Sequence, residues 1–353
     1  MTFLKTALKI LGVFFLVLLL FAAGLVIYKQ PRTPAVRDFS GKRMPGGIAE
    51  LGKIRLGDWD QWVLIRGRNR AKPLLLFLHG GPGMPLMYLA HSFQRPLEED
   101  FLCVQWDRRG AGKSFRRNIP AESLRVSRIL ADAEELIERL RHRFGKEKIY
   151  LVGHSWGSYL GMLLIRRHPE FFHAFISVGQ VVDGERAGKI QMRFIRETAE
   201  RLENQEALEE LNVRGRDVVE KWLFKFGGEL YSSTSFMSLI WAGIKAPEYG
   251  LADIARVSRG SSFSSLHMKY DVLEGPLLDN IRDVKVPVFF FAGRHDYTTP
   301  FALIQEYFDI LEAPAKELVW FEHSAHFPFF EEPEAFAAAL RRVIFRKERF
   351  NGF

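Results

Sequence analysis

The sequence predicts an α/β protein with a mainly parallel sheet of eight strands flanked by helices and a helical insertion after the sixth strand. Three observations carry this prediction. Short apolar runs alternate with helix-period stretches along most of the chain, the pattern of strands connected by crossover helices. One interval, about 180–283, breaks that alternation and holds only helical patterns rich in aromatic residues. The composition is that of an ordinary globular protein, with 353 residues, 47% hydrophobic and 26% charged, which puts disordered, collagen-like and solenoid architectures far behind. A chain of this length buries a full core without covalent staples. Its single cysteine, Cys103, excludes an intrachain disulfide framework and any multi-cysteine metal site.

Taken in chain order, residues 10–28 are uncharged and apolar, and a helix of that length would be about 28 Å long, close to a bilayer core of about 30 Å. Lys5 and Lys9 precede the run and Lys29-Gln30-Pro31 follows it. Residues 1–28 are therefore expected to form a single-pass membrane anchor. It is favoured over a cleaved signal peptide, whose apolar region is shorter and ends at a small-x-small site. Basic residues are denser after the run than before it, which opposes outward placement. A large domain translocates regardless of such charge, however, so the domain that follows is expected on the extracytoplasmic side. The formal charge of +8 fits a membrane segment at this end of the chain. Residues 1–43 carry seven basic side chains against one acid, Asp38, and the remaining 310 residues hold 43 basic and 41 acidic ones. That distribution points to a membrane flank and away from a nucleic-acid partner.

Residues 29–45 read as a polar, proline-containing tether, and 46–66 as two leading strands, of which 61–66 is the clearer. The buried strands expected next are 73–78, 101–106, 149–152, 174–178, 287–292 and 317–321. A helix over 127–144 places Ile129, Ala133, Leu136, Ile137 and Leu140 on one face. The expected core is 46–179 with 284–353, and the helical cap is 180–283.

The chemistry-bearing residues cluster at strand ends. Gly153-His154-Ser155-Trp156-Gly157 joins a strand to a helical pattern, the context of a nucleophile elbow. Small residues at 153 and 157 relieve crowding, and the helix beneath favours a developing oxyanion. His79-Gly80-Gly81-Pro82-Gly83 follows the strand 73–78. Pro82 has no N–H, so Gly81, paired with the N–H of Trp156, is the expected oxyanion donor. Asp296 and His326 follow the last two strands in the order acid, then base. The roles read as Ser155 nucleophile, His326 general base and Asp296 its orienting acid. His323 is a rival base and Asp183 a rival acid. Gly110-Ala111-Gly112-Lys113-Ser114 resembles the end of a phosphate loop, but Asp107 stands where its first glycine is required. It reads as a structured turn, with no nucleotide partner expected. Neither a metal nor an organic cofactor is called for.

HGGPG, DRRGAGKS, GHSWG, GRHDYTTP and SAHFPFFEEPEAF, in this order, resemble the α/β-hydrolases of the prolyl aminopeptidase group (proline iminopeptidase-like, S33). The resemblance covers about residues 46–345 and is weakest in the cap. It implies an α/β-hydrolase fold. In that family the catalytic histidine shortly precedes an E-x-P or E-E-P element, and His326 precedes Glu331-Glu332-Pro333 at the familiar distance, which favours it over His323. The activity implied is release of N-terminal residues from peptides, with cap carboxylates capturing the substrate's ammonium group. Acids stand in the cap at Asp183, Glu185, Glu197, Glu229 and Asp271, and none is matched to that task by sequence. An esterase or amidase acting on small or lipid-derived acyl substrates is the second expectation. A tethered ligand-binding protein without turnover is a third, from another class.

Overall fold

The computed structural model describes residues 11–16, 30–38, 40–268 and 275–345. Eight strands form one sheet in the order β1-β2-β4-β3-β5-β6-β7-β8. They are β1 Ile48–Leu56, β2 Trp59–Gly67, β3 Leu74–Leu78, β4 Leu102–Asp107, β5 Ile149–His154, β6 Phe172–Val178, β7 Val288–Gly293 and β8 Lys316–Phe321. Only β1 with β2 and β2 with β4 pair antiparallel; every pairing from β4 through β8 is parallel. The helices of seven or more residues are α1 Val126–Phe144, α2 Trp156–Arg167, α3 Gly184–Arg201, α4 Gln205–Arg214, α5 Val219–Lys225, α6 Met237–Lys245, α7 Leu251–His267, α8 Phe301–Ile310 and α9 Pro333–Phe345.

The central strands are apolar on both faces because both faces are covered. Along β3, Leu74, Leu76 and Leu78 join one core with α1, α2 and α8, while Leu75 and Phe77 join the other with 87–101 and α9. All five β3 residues are buried, each contributing roughly 1.5–3 kcal/mol relative to exposure. In α1 the buried positions Ile129, Ala133, Leu136, Ile137 and Leu140 are those expected from the 3.6-residue period. The helix ends where Gly145 takes a left-handed conformation, φ +60°. Parallel registers level the strand ends: Leu78 lies opposite Gly153, His154 opposite Val178, and Gly293 opposite Phe321. The segments that leave these strands therefore meet along one edge of the sheet.

Among the described residues, α3 to α7 occupy the interval between β6 and β7 with no strand. The aromatic residues that mark this interval in the sequence divide there: Trp222, Phe224 and Tyr249 are buried, whereas Tyr231 and Trp241 are exposed. The segment expected to be a tether is packed in its described part. Arg32 N–H donates to the Pro247 carbonyl at 2.8 Å, Val36 is buried, and Arg66 donates to Thr33 Oγ1 and the Pro34 carbonyl at 2.5 Å each.

The membrane expectation is corrected. Among the described residues, no helix is long and apolar enough to cross a membrane. Of the expected span, positions 10 and 17–28 lie outside the described residues. The single-pass anchor and the extracytoplasmic placement built on it are thus withdrawn.

Candidate active site

Ser155 sits between β5 and α2 with φ +53° and ψ −125°, one of two non-glycine residues with positive φ among those described. Such a conformation costs of order 1–3 kcal/mol and persists only when its surroundings enforce it. Here the enforcement is backbone against backbone. A Cβ on Gly157 would stand 2.2 Å from the Leu78 carbonyl oxygen, and one on Gly153 would stand 2.5 Å from the Gly157 carbonyl oxygen. Both positions must therefore be glycine. Ser155 N–H donates to the Val178 carbonyl at 2.9 Å, and Ser158 N–H returns to the Ser155 carbonyl at 2.7 Å, fixing the turn from both sides. As the first residue of α2, Trp156 has a backbone N–H with no intrahelical acceptor.

His326 is brought to the same edge by the loop after β8. Its Nδ1 lies 2.8 Å from Asp296 Oδ2, in a pair whose side chains are 3% and 1% exposed. Burial opposes the imidazolium, but the Asp296 carboxylate, with Glu229 and Glu331 further off, holds the His326 pKa above its ordinary value. Asp296 is itself fixed by Thr299, whose N–H reaches Oδ1 and whose hydroxyl reaches Oδ2, both at 2.8 Å. The loop carrying His326 is capped by the two acids that follow it. Glu331 accepts from Ala325 N–H at 2.8 Å, and Glu332 accepts from His323 N–H at 3.0 Å and the Ser324 hydroxyl at 2.6 Å. These bonds give the E-E-P element a physical task, which is to hold the histidine loop. His154, kept neutral by burial, donates from Nε2 to the His326 carbonyl at 2.9 Å. Gly179, φ +57°, leaves room for the ring, since a Cβ there would stand 2.9 Å from it.

The turn after β3 completes the edge. Gly81 has φ +112°, and a Cβ there would overlap the Gly83 and Met84 nitrogens at 2.1 and 2.4 Å. Its N–H has no protein acceptor among the described residues. Gly80 lies so close to Ser155 that a Cβ would come within 2.9 Å of the serine Cβ. Gly80, Gly81, Ser155 and His326 line one cavity of about 250 Å³, together with Met84, Glu229, Phe236 and Leu239.

The predicted Ser155, Asp296, His326, Gly81 and Trp156 are thus gathered at one place, with Gly153 and Gly157 supporting the turn. The rivals are not. Asp183 caps the N-terminus of α3, accepting from Glu185 N–H and Arg186 N–H. His323 is exposed on the loop beside Tyr231, 6.4 Å between rings. Lys113 is buried against Asp253 at 2.7 Å in the turn after β4, a structural use of the Gly-Lys-Ser run. Among the described residues no group of His, Cys, Asp and Glu could hold a metal ion. Asp271 lies outside the described residues.

Sequence reasoning gave no part to Thr299, although Thr298-Thr299 closely follow Asp296 and signal a hydroxyl within reach of it. It also left Glu229 unassigned. That half-buried carboxyl borders the cavity, accepts from the Thr298 hydroxyl, and is pushed by desolvation up to about 7, with His326 nearby drawing it down.

A buried acid–histidine pair beside a serine held on a strained strand-to-helix turn, at the carboxyl edge of a mainly parallel sheet, defines the α/β-hydrolase class. Comparison with known proteins agrees: residues 73–333 match the family described as alpha/beta hydrolase fold. The chain belongs to that family. It is 30% identical over 307 residues to a protein named probable aminopeptidase YbaC of Bacillus subtilis (strain 168), covering 84% of this chain and 96% of the relative. It is 26% identical over 269 residues to a proline iminopeptidase of Heyndrickxia coagulans, covering 75% and 88%. Among solved structures, a proline iminopeptidase-related protein from Thermus thermophilus shares the fold with a TM-score of 0.62 at 22% identity, covering 84% of this chain and 97% of that one.

Proposed function

We propose that this hydrolase works by acyl-enzyme chemistry and releases N-terminal residues from peptides. Residues 46–179 and 284–353 would form the catalytic core and 180–283 its cap. The observation that carries the reading is one shared cavity holding Ser155, the Asp296-paired His326 and the half-buried carboxyl of Glu229. Ser155 Oγ attacks the substrate carbonyl as His326 Nε2 takes its proton, and the oxyanion is received by the N–H groups of Gly81 and Trp156. His326 then protonates the departing amine and activates the water that frees the acid. Asp296 keeps the proton on Nδ1 and stabilises the imidazolium. Glu229, poised near neutrality, becomes fully charged beside a substrate ammonium and so favours a free N-terminus. The aminopeptidase names of the relatives support the same substrate class.

One observation favours a second reading. The cavity continues through Met84, Phe236 and Leu239 into a groove of about 620 Å³ walled by Tyr88, Ile240, Ile254 and Val257. Such a wall suits an esterase or amidase acting on apolar acyl groups.

One experiment separates them. Fluorophosphonate labelling should vanish in Ser155→Ala, with kcat down by at least about a thousandfold. In the aminopeptidase reading, Glu229→Gln lowers kcat/KM for free aminoacyl p-nitroanilides by roughly 10- to 100-fold, the loss of one charge-assisted contact. The N-acetylated forms should lose much less. Equal losses on blocked and free substrates would move the assignment to the esterase, and full activity in Ser155→Ala would end both.

A further inference from the structure

Arg108 is the residue after β4, and its side chain is turned wholly inward, 1% exposed. Its neighbour Arg109 is neutralised by Asp132 at 2.5 Å and Asp58 at 2.9 Å. Arg108 has no carboxylate partner among the described residues. It is committed instead to one turn: Nη1 donates to the His79 carbonyl at 2.9 Å, and Nη2 to the carbonyls of Gly80 at 2.7 Å and Pro82 at 3.3 Å. The guanidinium carbon also lies 4.2 Å from the centre of the Trp156 ring. Burying a cation on three carbonyls is costly, and burial pulls its pKa well down from the ordinary value, though an arginine stays charged. His79 assists at the same carbonyl: its Nδ1 meets the Gly80 oxygen at 2.9 Å, and its Nε2 accepts from Arg108 N–H at 3.4 Å.

The peptide between Gly80 and Gly81 is planar and trans, so its carbonyl and its N–H point in opposite directions. A group that grips the Gly80 oxygen therefore also aims the Gly81 N–H. Between two glycines this peptide can flip at little steric cost, because glycine occupies both signs of φ. We propose that Arg108 is a positioning residue for the oxyanion site: it holds the Gly80 carbonyl so that the Gly81 N–H faces the reacting oxygen, and by lying on the Trp156 ring it ties the second donor to the first. The inference rests on the assignment of Gly81 and Trp156 as oxyanion donors. A planar fork suits two carbonyls at once, which a lysine ammonium at the end of a flexible stem does not.

The test uses the full chain, p-nitrophenyl acetate as substrate, and an alkyl trifluoromethyl ketone, whose tetrahedral adduct on serine needs the same two donors. Arg108→Gln is expected to lower kcat by roughly tenfold or more, short of the about 10²–10³ lost when an oxyanion donor is deleted outright. KM should stay within about twofold and ketone affinity should fall by the same factor as kcat. Arg108→Lys should fall between, with the pH midpoint of kcat/KM unmoved in both. An unchanged kcat in a variant with the parent melting curve would overturn the inference, as would a kcat loss without a matching loss of ketone affinity. If Arg108→Gln does not fold, Arg108→Lys carries the test, and collapse of both marks the residue as purely structural and also overturns it. Ser155→Ala, run alongside, keeps the two levels apart: hydrolysis surviving there defeats the acyl-enzyme reading, whatever Arg108 does.

Discussion

The two halves of the insertion between β6 and β7 are held down by different physics. The first, α3 to α5, has a core of its own: Ile195, Ala199, Leu211, Val218, Trp222 and Leu223 pack on one another and join neither of the two sheet cores. Its ties to the sheet cores are few: Ala187 and Ile190 lie against the first and Phe224 belongs to the second. Lateral contacts add the exposed Arg186–Glu306 pair at 2.6 Å, a Gln191 contact to the Thr298 carbonyl at 2.8 Å, and the Phe194 ring against Tyr297. The second half, α6 and α7, shares the core beneath it through Leu239, Ala242, Ala246 and Tyr249. It is also pinned by buried polar contacts to the turn after β4. Lys113 bonds Asp253 and the Glu248 carbonyl, Tyr249 donates to Asp107, and Ser264 donates to the Gly110 carbonyl. One half keeps a core of its own and joins the sheet cores at a few points, while the other is a fixed wall of the cavity. Contact at the surface and fusion in the core give covers of different mobility over one site, and amide exchange should rank them in that order.

The largest effect should follow from breaking the fixed half. Asp253→Ala strands the Lys113 ammonium in the interior and should cost about 3–5 kcal/mol in urea unfolding of the whole chain. Adding Lys113→Met should recover much of that loss. Trp222→Ala empties the centre of the first half at a local cost of roughly 3–5 kcal/mol. The difference should show as faster amide exchange across 184–225 with the strands still protected. Global unfolding by that variant would mean that the halves are one unit.

A smaller effect is expected from pH. Burial pushes Asp107 up to about 7, with Tyr249 and Lys113 N–H drawing it down and Asp253 raising it. Its folded pKa lies above its unfolded one, so between about pH 4 and 7 the folded state holds the extra proton, and this contribution to stability declines as pH rises through that window. Asp107→Asn should remove that slope in melting temperatures measured from pH 4 to 7, and an unchanged slope would show that Asp107 ionises normally. Least of all, Arg186→Ala should change stability by about 0–1 kcal/mol, because both partners are well exposed. A larger loss would mean that the first half is anchored more firmly than its packing indicates.

The fold was legible wherever burial was two-sided. β3, β4 and β7 are near-continuous apolar runs because helices cover both faces, and no polar alternation blurs them. β1, half exposed at the sheet edge, carries Glu50, Lys53 and Arg55, so only its neighbour β2 read clearly as a strand. Ser155, Asp296 and His326 were legible because each follows a strand end, where a parallel sheet collects its loops. What stayed hidden was contact between distant segments. Nothing near Arg108 announces that it turns inward to the turn after β3, and Glu229 reads like any helix-surface acid until the sheet places it beside His326. The run over 10–28 misled in the opposite way: its apolar length and basic flanks were read as a membrane span, whereas no helix among the described residues is long and apolar enough to cross one.

The caps on the histidine loop have a consequence in time. The loop of His326 is held by Glu331 and Glu332, which immediately precede α9, whose Phe336 and Leu340 close the second sheet core and whose Arg341 reaches back to Asp100 at 2.6 Å. The serine turn, the acid and the oxyanion turn are all synthesised before this helix. A nascent chain still holding α9 inside the ribosome therefore has its strained serine turn but lacks the helix that backs the His326 loop. On the proposed roles, reactivity waits for this helix to dock, and until then the growing polypeptide carries a silent serine.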